Sequence, residues 1–222
     1  MRALGQEITK VRVAGVDAIR VRVRGQDEWT AESPAPVPDP ISYFDWHEGS
    51  GETTASIVSS HVLTAANPPT AWNGQSANGT FSGDIGDTPT STWTLAVEFT
   101  LNTGSSWRNL LHTSDAGSAD EIWLQLNGST LNIWTSVGSS TGFDPALPTV
   151  ASDVRTMLTV TSDGTTQRVY LDGEPVSSRT QTTILEPTSA VIRDSSEDLN
   201  GYVHTVRFWD VALSDAEVVA LI

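Results

Sequence analysis

VRTMLTVTSDGTTQRVYLDGEPV, residues Val154–Val176, decides the fold. Leu158 and Val160 alternate with Met157, Thr159 and Thr161, the period-two pattern of a strand with one buried face. Ser162-Asp163-Gly164 is a turn: an Asp side chain caps nearby backbone, and Gly accepts the positive φ of a tight reversal. Val169 and Leu171 then alternate with Arg168 and Tyr170. Asp172-Gly173 closes this second strand, and Pro175 is confined to an edge or a loop. The stretch therefore predicts two strands and two turns.

The C-terminal segment DLNGYVHTVRFWDVALSDAEVVALI, residues 198–222, works from the same principles. Tyr202 to Trp209 is a strand that follows the polar pair Asn200-Gly201. Ala212-Leu213-Ser214 is a corner. Ser214 and Glu217 have the S-x-x-E spacing of a capping box, so a short helix begins at Asp215. Val218, Val219 and Leu221 supply its apolar contacts.

These two stretches, in this order, resemble the laminin-G-like, concanavalin A-like jelly-roll family. The "VYLDG" strand and turn and the "ALS" corner carry the resemblance, which covers roughly residues 41–222. It implies an all-β jelly-roll sandwich with a short C-terminal helix. It implies calcium as the usual metal, with no cofactor required. Lectins, hydrolases and inert spacers share this fold, so a function has to be argued from a site.

The remaining strands follow from alternation. Trp93, Leu95, Val97 and Phe99 mark a core strand. Ile122, Leu124 and Leu126 mark another, with Trp123 and Gln125 on its opposite face. Leu131 and Ile133 alternate with Asn132 and Trp134. Ser42 to Asp45, in SYFDWHEGSGETTAS, opens the body. The loop after it has Ser56-Ile57-Val58-Ser59 where family members often carry an Asp, a departure from the family's calcium pattern.

Three domains are expected: an N-terminal β arm (1–32), a Pro-rich linker (33–40) and the jelly roll (41–222). In the arm, Ile8, Val11, Val13, Ile19, Val21 and Val23 alternate with Lys10, Arg12, Arg20, Arg22 and Arg24. Two or three short strands with one polar, basic face are expected. Such a piece is too small to bury a core alone. Its pattern also resembles short N-terminal segments of tailed-phage structural proteins. The linker ESPAPVPDP favours extended polyproline II and predicts a semi-rigid spacer.

The chain has 222 residues, no Cys and a net charge of −15. Disulfides and thiolate metal sites are thus excluded. Residues 1–31 hold six of the twelve basic residues and four of the 27 acids, a net +2 against −17 for the rest. An acidic body repels phosphate backbones and anionic lipid, so neither nucleic acid nor membrane is an expected partner. No apolar run approaches the ~20 residues of a membrane span. The N-terminus lacks the apolar centre of a signal peptide, and Met1 leading into a strand pattern reads as a native start.

Catalysis is not expected. Retaining glucanases project two carboxylates from one strand face, whereas Glu121-Ile122-Trp123-Leu124-Gln125 offers one. The four histidines, His47, His61, His112 and His204, show no HExxH, and there is no G-x-S-x-G. Sugar binding needs aromatic platforms beside amides and carboxylates. Trp72, Trp107, Trp123 and Trp134 are the candidates; for Trp123 and Trp134 a second-layer core is the competing role. For a metal, Asp194 and Asp198, beside Glu197, are the candidates, with Asp84/Asp87 and Asp115/Asp120 as further acidic pairs.

The function expected from sequence is a non-enzymatic surface protein of a tailed-phage virion, on capsid or tail. The arm would anchor it to other virion proteins through Arg12, Val13, Ile19, Arg20, Val21, Arg22, Arg24 and Trp29. The body would meet host-surface glycans, and a homo-oligomer is a further partner arrangement open to it. Virion proteins assemble in the host cytoplasm, which fits the missing leader. The alternative is a bacterial carbohydrate-binding module or a glycoside hydrolase relative.

Overall fold

The computed structural model describes residues 7–13, 16–23, 26–31, 36–46, 53–65, 80–102, 107–113, 120–137, 139–142, 147–185, 187–188, 190–192 and 201–222. Side chains are described from residue 36 onward, except at 107, 120 and 135–142. The first strands are β1 (Glu7–Val13), β2 (Val16–Val23) and β3 (Gln26–Ala31). They pair antiparallel as a sheet of their own. Val13 pairs with Val16 across a two-residue loop, which fixes the register. That register spreads the basic positions over both faces. Lys10 lies opposite Ile19, while Arg20 lies opposite Thr9 and Trp29. The expected single basic face is therefore not what the backbone pairing produces.

The body continues as β4 (Ser42–Asp45), β5 (Thr53–Ala55), β6 (Val62–Ala65), β7 (Phe81–Gly83) and the long β8 (Thr92–Leu101). Next come β9 (Trp107–Thr113), β10 (Asp120–Asn127), β11 (Thr130–Val137) and β12 (Ser139–Gly142). The chain ends with β13 (Arg155–Asp163), β14 (Thr166–Leu171), β15 (Glu174–Thr180), β16 (Ala190–Ile192), β17 (Gly201–Trp209) and helix α1 (Asp215–Val219).

Two sheets result. One has eight strands, in the order β12-β11-β10-β9-β16-β7-β6-β5; the other has six, in the order β15-β14-β13-β8-β17-β4. All the strand pairs are antiparallel. The first and last strands of the body, β4 and β17, are neighbours, and β8 and β13 sit at the centre of the six-stranded sheet. Inward residues of both sheets form one apolar cluster, with Trp93, Leu95, Val97 and Phe99 of β8 facing Leu111, Ile122, Leu124 and Ile133. Burying each such side chain contributes about 1.5–3 kcal/mol. This is an all-β, two-sheet antiparallel sandwich of the jelly-roll type with one short C-terminal helix.

The deciding stretch forms its hairpin. Asp163 accepts the backbone N–H of Thr166 at 2.8 Å and that of Thr165 at 3.1 Å, which is the expected turn cap. Asp172 and Gly173 both have positive φ, 48° and 75°, as a type I′ turn requires. Pro175 lies on β15, an edge strand, where a missing N–H is tolerated. One expectation changes. β13 is buried on both faces, with Met157, Thr159 and Thr161 as buried as Leu158 and Val160. A second apolar cluster covers the outer face of the six-stranded sheet: Ala96, Met157, Tyr170, Trp209, Leu213 and Val218.

The C-terminal helix supplies that cover. Its capping box is present: the Glu217 N–H donates to Ser214 Oγ, and the Ser214 N–H donates to Glu217 Oε2 at 2.7 Å. The corner before it is held by Thr94, whose hydroxyl donates to the Val211 carbonyl at 2.8 Å and accepts the Leu213 N–H at 2.9 Å. The linker contributes too. Val37 packs on the same cluster, and Trp209 Nε1 donates to the Pro38 carbonyl at 2.8 Å. The end of the Pro-rich segment is thus laid onto the body.

Candidate functional site

Two β-bulges decide which side chains face outward. On β9, Leu111 pairs with Leu124 but Asn109 pairs with Gln125, so Leu110 is an extra residue. Leu110 and Leu111 both enter the core. The alternation is thereby reset, and Asn109 joins Gln125 on the outer face of the eight-stranded sheet. On β17, Val203 pairs with Phe99 and Thr205 with Glu98, so His204 is extra. Thr205 and Arg207 consequently face outward while Val203, Val206 and Phe208 face the core.

The outer face of the eight-stranded sheet carries an aromatic row. Trp123 pairs in register with His112 on one side and Trp134 on the other. The His112 ring stacks on Trp123 at 4.1 Å and 20°. Trp134 meets Trp123 edge-on at 6.3 Å. Trp123 Nε1 donates to Glu121 Oε2 at 3.1 Å, which locks the indole in place. His112 is buried, whereas Trp123 and Trp134 are half-buried. The register partner of Trp134 on β12 is Gly142, which has no side chain.

Amides flank the row. Gln125 Nε2 donates to Asn109 Oδ1 at 2.7 Å. The Asn109 Nδ2 group is buried and meets no acceptor among the described residues. A buried donor without a partner costs about 1–3 kcal/mol; Asn109 is 0% exposed, so the amide within a ligand's reach is that of half-buried Gln125, which Asn109 orients. Aromatic rings beside amide donors are the chemistry that holds a sugar: C–H faces stack on rings and hydroxyls pair with amides.

The sequence candidates divide accordingly. Trp123 and Trp134 come together. Trp107 opens β9 and pairs with Asn127, its side chain outside the described residues. Trp72 lies outside the described residues, as do Asp194 and Asp198. Of the arm residues, Arg12, Val13, Ile19, Arg20, Val21, Arg22 and Trp29 lie on described strands without described side chains, and Arg24 lies outside. Asp87 Oδ1 lies 3.1 Å from His61 Nε2, so it is engaged by that ring. Among the described residues, no three His, Asp or Glu side chains gather as a metal site.

His112, Asn109 and Gln125 were not anticipated as one group. The Leu110-Leu111 doublet, which breaks strict alternation, is the sequence signal that locates their bulge. Glu121 keeps its Trp123 partner and shares its strand face with Trp123 and Gln125. The two carboxylates about 5–5.5 Å apart of a retaining glycosidase are not on that strand.

This geometry defines a lectin-like jelly roll. Residues 73–219 match the model of the concanavalin A-like lectin/glucanases superfamily, and the chain belongs to that family. Among curated proteins no sequence matches. Domain 4 of AbnA, an extracellular arabinanase from Geobacillus stearothermophilus in complex with arabinotriose, is similar in fold. Its TM-score is 0.64 at 11% identity, over 84% of this chain and 99% of that one. The CBM40 of the Ruminococcus gnavus IT-sialidase, bound to α2,3-sialyllactose, has a TM-score of 0.52 at 12% identity, over 64% and 91%. The Trypanosoma rangeli sialidase in complex with sialic acid has a TM-score of 0.62 at 11% identity, over 96% and 44%; this chain thus spans less than half of that enzyme.

Proposed function

We propose that this protein is a carbohydrate-binding module whose ligand lies along the row His112–Trp123–Trp134. The observation that carries it is the half-buried Trp123/Trp134 pair on one face with the half-buried Gln125 amide, which Asn109 orients. The solved domains bound to arabinotriose and sialyllactose support the reading by fold. Calcium is not required by this chemistry. The test is titration calorimetry of the full chain with arabinotriose and α2,3-sialyllactose, backed by a glycan array. Trp134→Ala should weaken any glycan bound by at least tenfold, which is about 1.4 kcal/mol. Unchanged affinity in that variant overturns the assignment of the row.

We also propose that residues 1–32 anchor the module to a larger assembly, with a phage virion surface as its setting. The support is a sheet of three short strands with two edges, β1 and β3, in a segment of net positive charge beside an acidic body. Exposed edges pair readily with another chain. Deleting residues 1–32 spares Val37 and Pro38. It should leave the melting temperature within a few degrees and abolish incorporation into particles. A body that unfolds on deletion, with an isolated arm that shows no affinity for particles, overturns the anchor.

A further inference from the structure

The outer face of the six-stranded sheet is only partly covered by helix α1. Beside the helix end lies a cavity of about 430 Å³, walled by Tyr43, Glu98, Asp172, Thr205, Arg207 and Leu221, with Asp45, Arg155, Met157 and Ile222 completing its polar and apolar lining. Its volume falls within the range of about 300–1,000 Å³ of small-molecule sites. One ladder row crosses its floor: Asp45 pairs with Thr205, Thr205 with Glu98, and Glu98 with Met157. The bulge at His204 is what turns Thr205 and Arg207 toward this floor.

The arginines differ. Arg155 is held by Glu98, its Nη2 donating to Oε2 at 2.8 Å. Arg207 forms no ion pair among the described residues. Its guanidinium lies 4.5 Å from the centroid of the Tyr43 ring and donates through Nη2 to Tyr43 Oη at 3.3 Å. Its Nε is buried and meets no acceptor among the described residues. In a chain of net charge −15, a guanidinium oriented by an aromatic ring and without an ion pair among the described residues leaves its terminal nitrogens, rather than the buried Nε, to meet a ligand. Acceptors stand opposite. Asp172 uses Oδ1 for the Met157 N–H at 2.8 Å and projects a second oxygen.

We propose that this cavity is a second ligand site, for a neutral saccharide, on the face opposite the aromatic row. Sugar hydroxyls donate and accept at once, which matches an open guanidinium facing carboxylates. Leu221 and Ile222 offer apolar surface to the ring's C–H face. Three carboxylates against two guanidiniums disfavour an anionic ligand. The site rests on the lectin-like reading of the domain, and it uses none of the residues of the row.

The test is NMR of the full chain, observing the Arg207 Nε–H and the amides of Thr205 and Trp134. The probes are arabinotriose, maltotriose and cellotriose as neutral saccharides, and free sialic acid as the anionic one. A neutral trisaccharide is expected to shift Arg207 Nε–H and Thr205, and Arg207→Met should weaken that binding at least tenfold. Asp172→Asn keeps the backbone bond and tolerates the positive φ there, and should weaken it as well with an unchanged melting temperature. Trp134→Ala should leave these shifts intact. Shifts confined to the Trp134 side for all neutral probes overturn the second site and leave the row standing. Shifts of Arg207 by sialic acid alone overturn the neutral-saccharide assignment. Shifts at neither face with any probe overturn the second site and count against the row too.

Discussion

Tyr170 donates its phenolic hydrogen to Asp215 Oδ1 at 2.7 Å, joining residues 45 positions apart. Tyr170 belongs to the VYLDG strand and Asp215 opens the C-terminal helix. The two sequence motifs that pointed to the jelly roll are thus bonded to each other. Tyr170 is 1% exposed, inside the cluster that the helix closes over.

Burial first, then the adjacent Asp215 carboxylate, pushes the Tyr170 hydroxyl up to about 12. The folded state holds this proton more tightly than the unfolded chain, whose tyrosine titrates near 10.0. The associated stability is full below pH 10 and is lost as pH rises toward 12. Tyr170→Phe is expected to cost about 1.5–3 kcal/mol at pH 7, the range for a hydrogen bond to a charged group. It should also flatten the alkaline fall of stability. Urea unfolding at pH 7, 10 and 11 measures both; an equally steep alkaline limb in the variant contradicts the assignment.

Asp163 has the opposite sign. The Thr166 N–H first, then the Thr165 hydroxyl and Arg168, hold its carboxyl well below the usual carboxylate range. Its contribution is present above the unfolded value of 3.8 and disappears as pH falls through the lower folded value. Because Asp163 is exposed, solvent screening keeps the effect small. Asp163→Ala should lower the melting temperature by a few degrees at pH 7 and by less at pH 2. Calorimetric scans across that window check it, and an equal loss at both pH values speaks against the turn cap.

Gly201 starts β17 where the backbone crowds β8. A Cβ there would lie 2.1 Å from the Thr100 carbonyl oxygen and 3.1 Å from Leu101 Cα. Backbone atoms in a central strand cannot step aside. Gly201→Ala is expected to destabilise by about 1–3 kcal/mol, the usual cost of overpacking. Denaturant unfolding with an unchanged m-value would show it, and a neutral substitution would refute the crowding.

The elements legible in sequence are those whose one face is apolar and whose turns carry Asp-Gly or a capping box: β8, β10, β11, β13, β14 and α1. What escaped has physical causes. β15 is exposed through Glu174, Pro175, Val176, Ser178 and Thr180, so it shows no apolar alternation. β5, β7 and β16 span three residues each, too short for periodicity. The burial of β13's outer face depends on a helix more than fifty residues downstream. The candidate sites were half legible. Trp123 and Trp134 stand opposite their strands' Leu and Ile rows. His112, Asn109 and Arg207 reach their faces only through bulges, and the three-residue spacing from Val203 to Val206 becomes meaningful once the register is known.

The last prediction separates the two tryptophans of the row. Trp123 is held on three sides: His112 stacks on it, Trp134 abuts it, and Glu121 accepts its Nε1–H. Among the described residues Trp134 has one ring neighbour, Trp123, and its partner on β12 is a glycine. Removing Trp123 therefore strips the packing from His112, leaves a cavity and frees the Glu121 carboxylate. Phe or Trp truncations in packed sites cost about 3–5 kcal/mol, and the half-burial of Trp123 places Trp123→Ala toward or below the lower end. Trp134→Ala should cost less, about 1 kcal/mol, the centre of single-substitution effects, since the His112 stack and the Glu121 bond belong to Trp123. Both variants should lose glycan affinity, but only Trp123→Ala should lose substantial stability with it. Parallel urea unfolding and glycan titration of the two proteins read the split. If Trp134→Ala proves the more destabilising while binding persists, Trp134 is a packing residue and the ligand lies elsewhere on the domain.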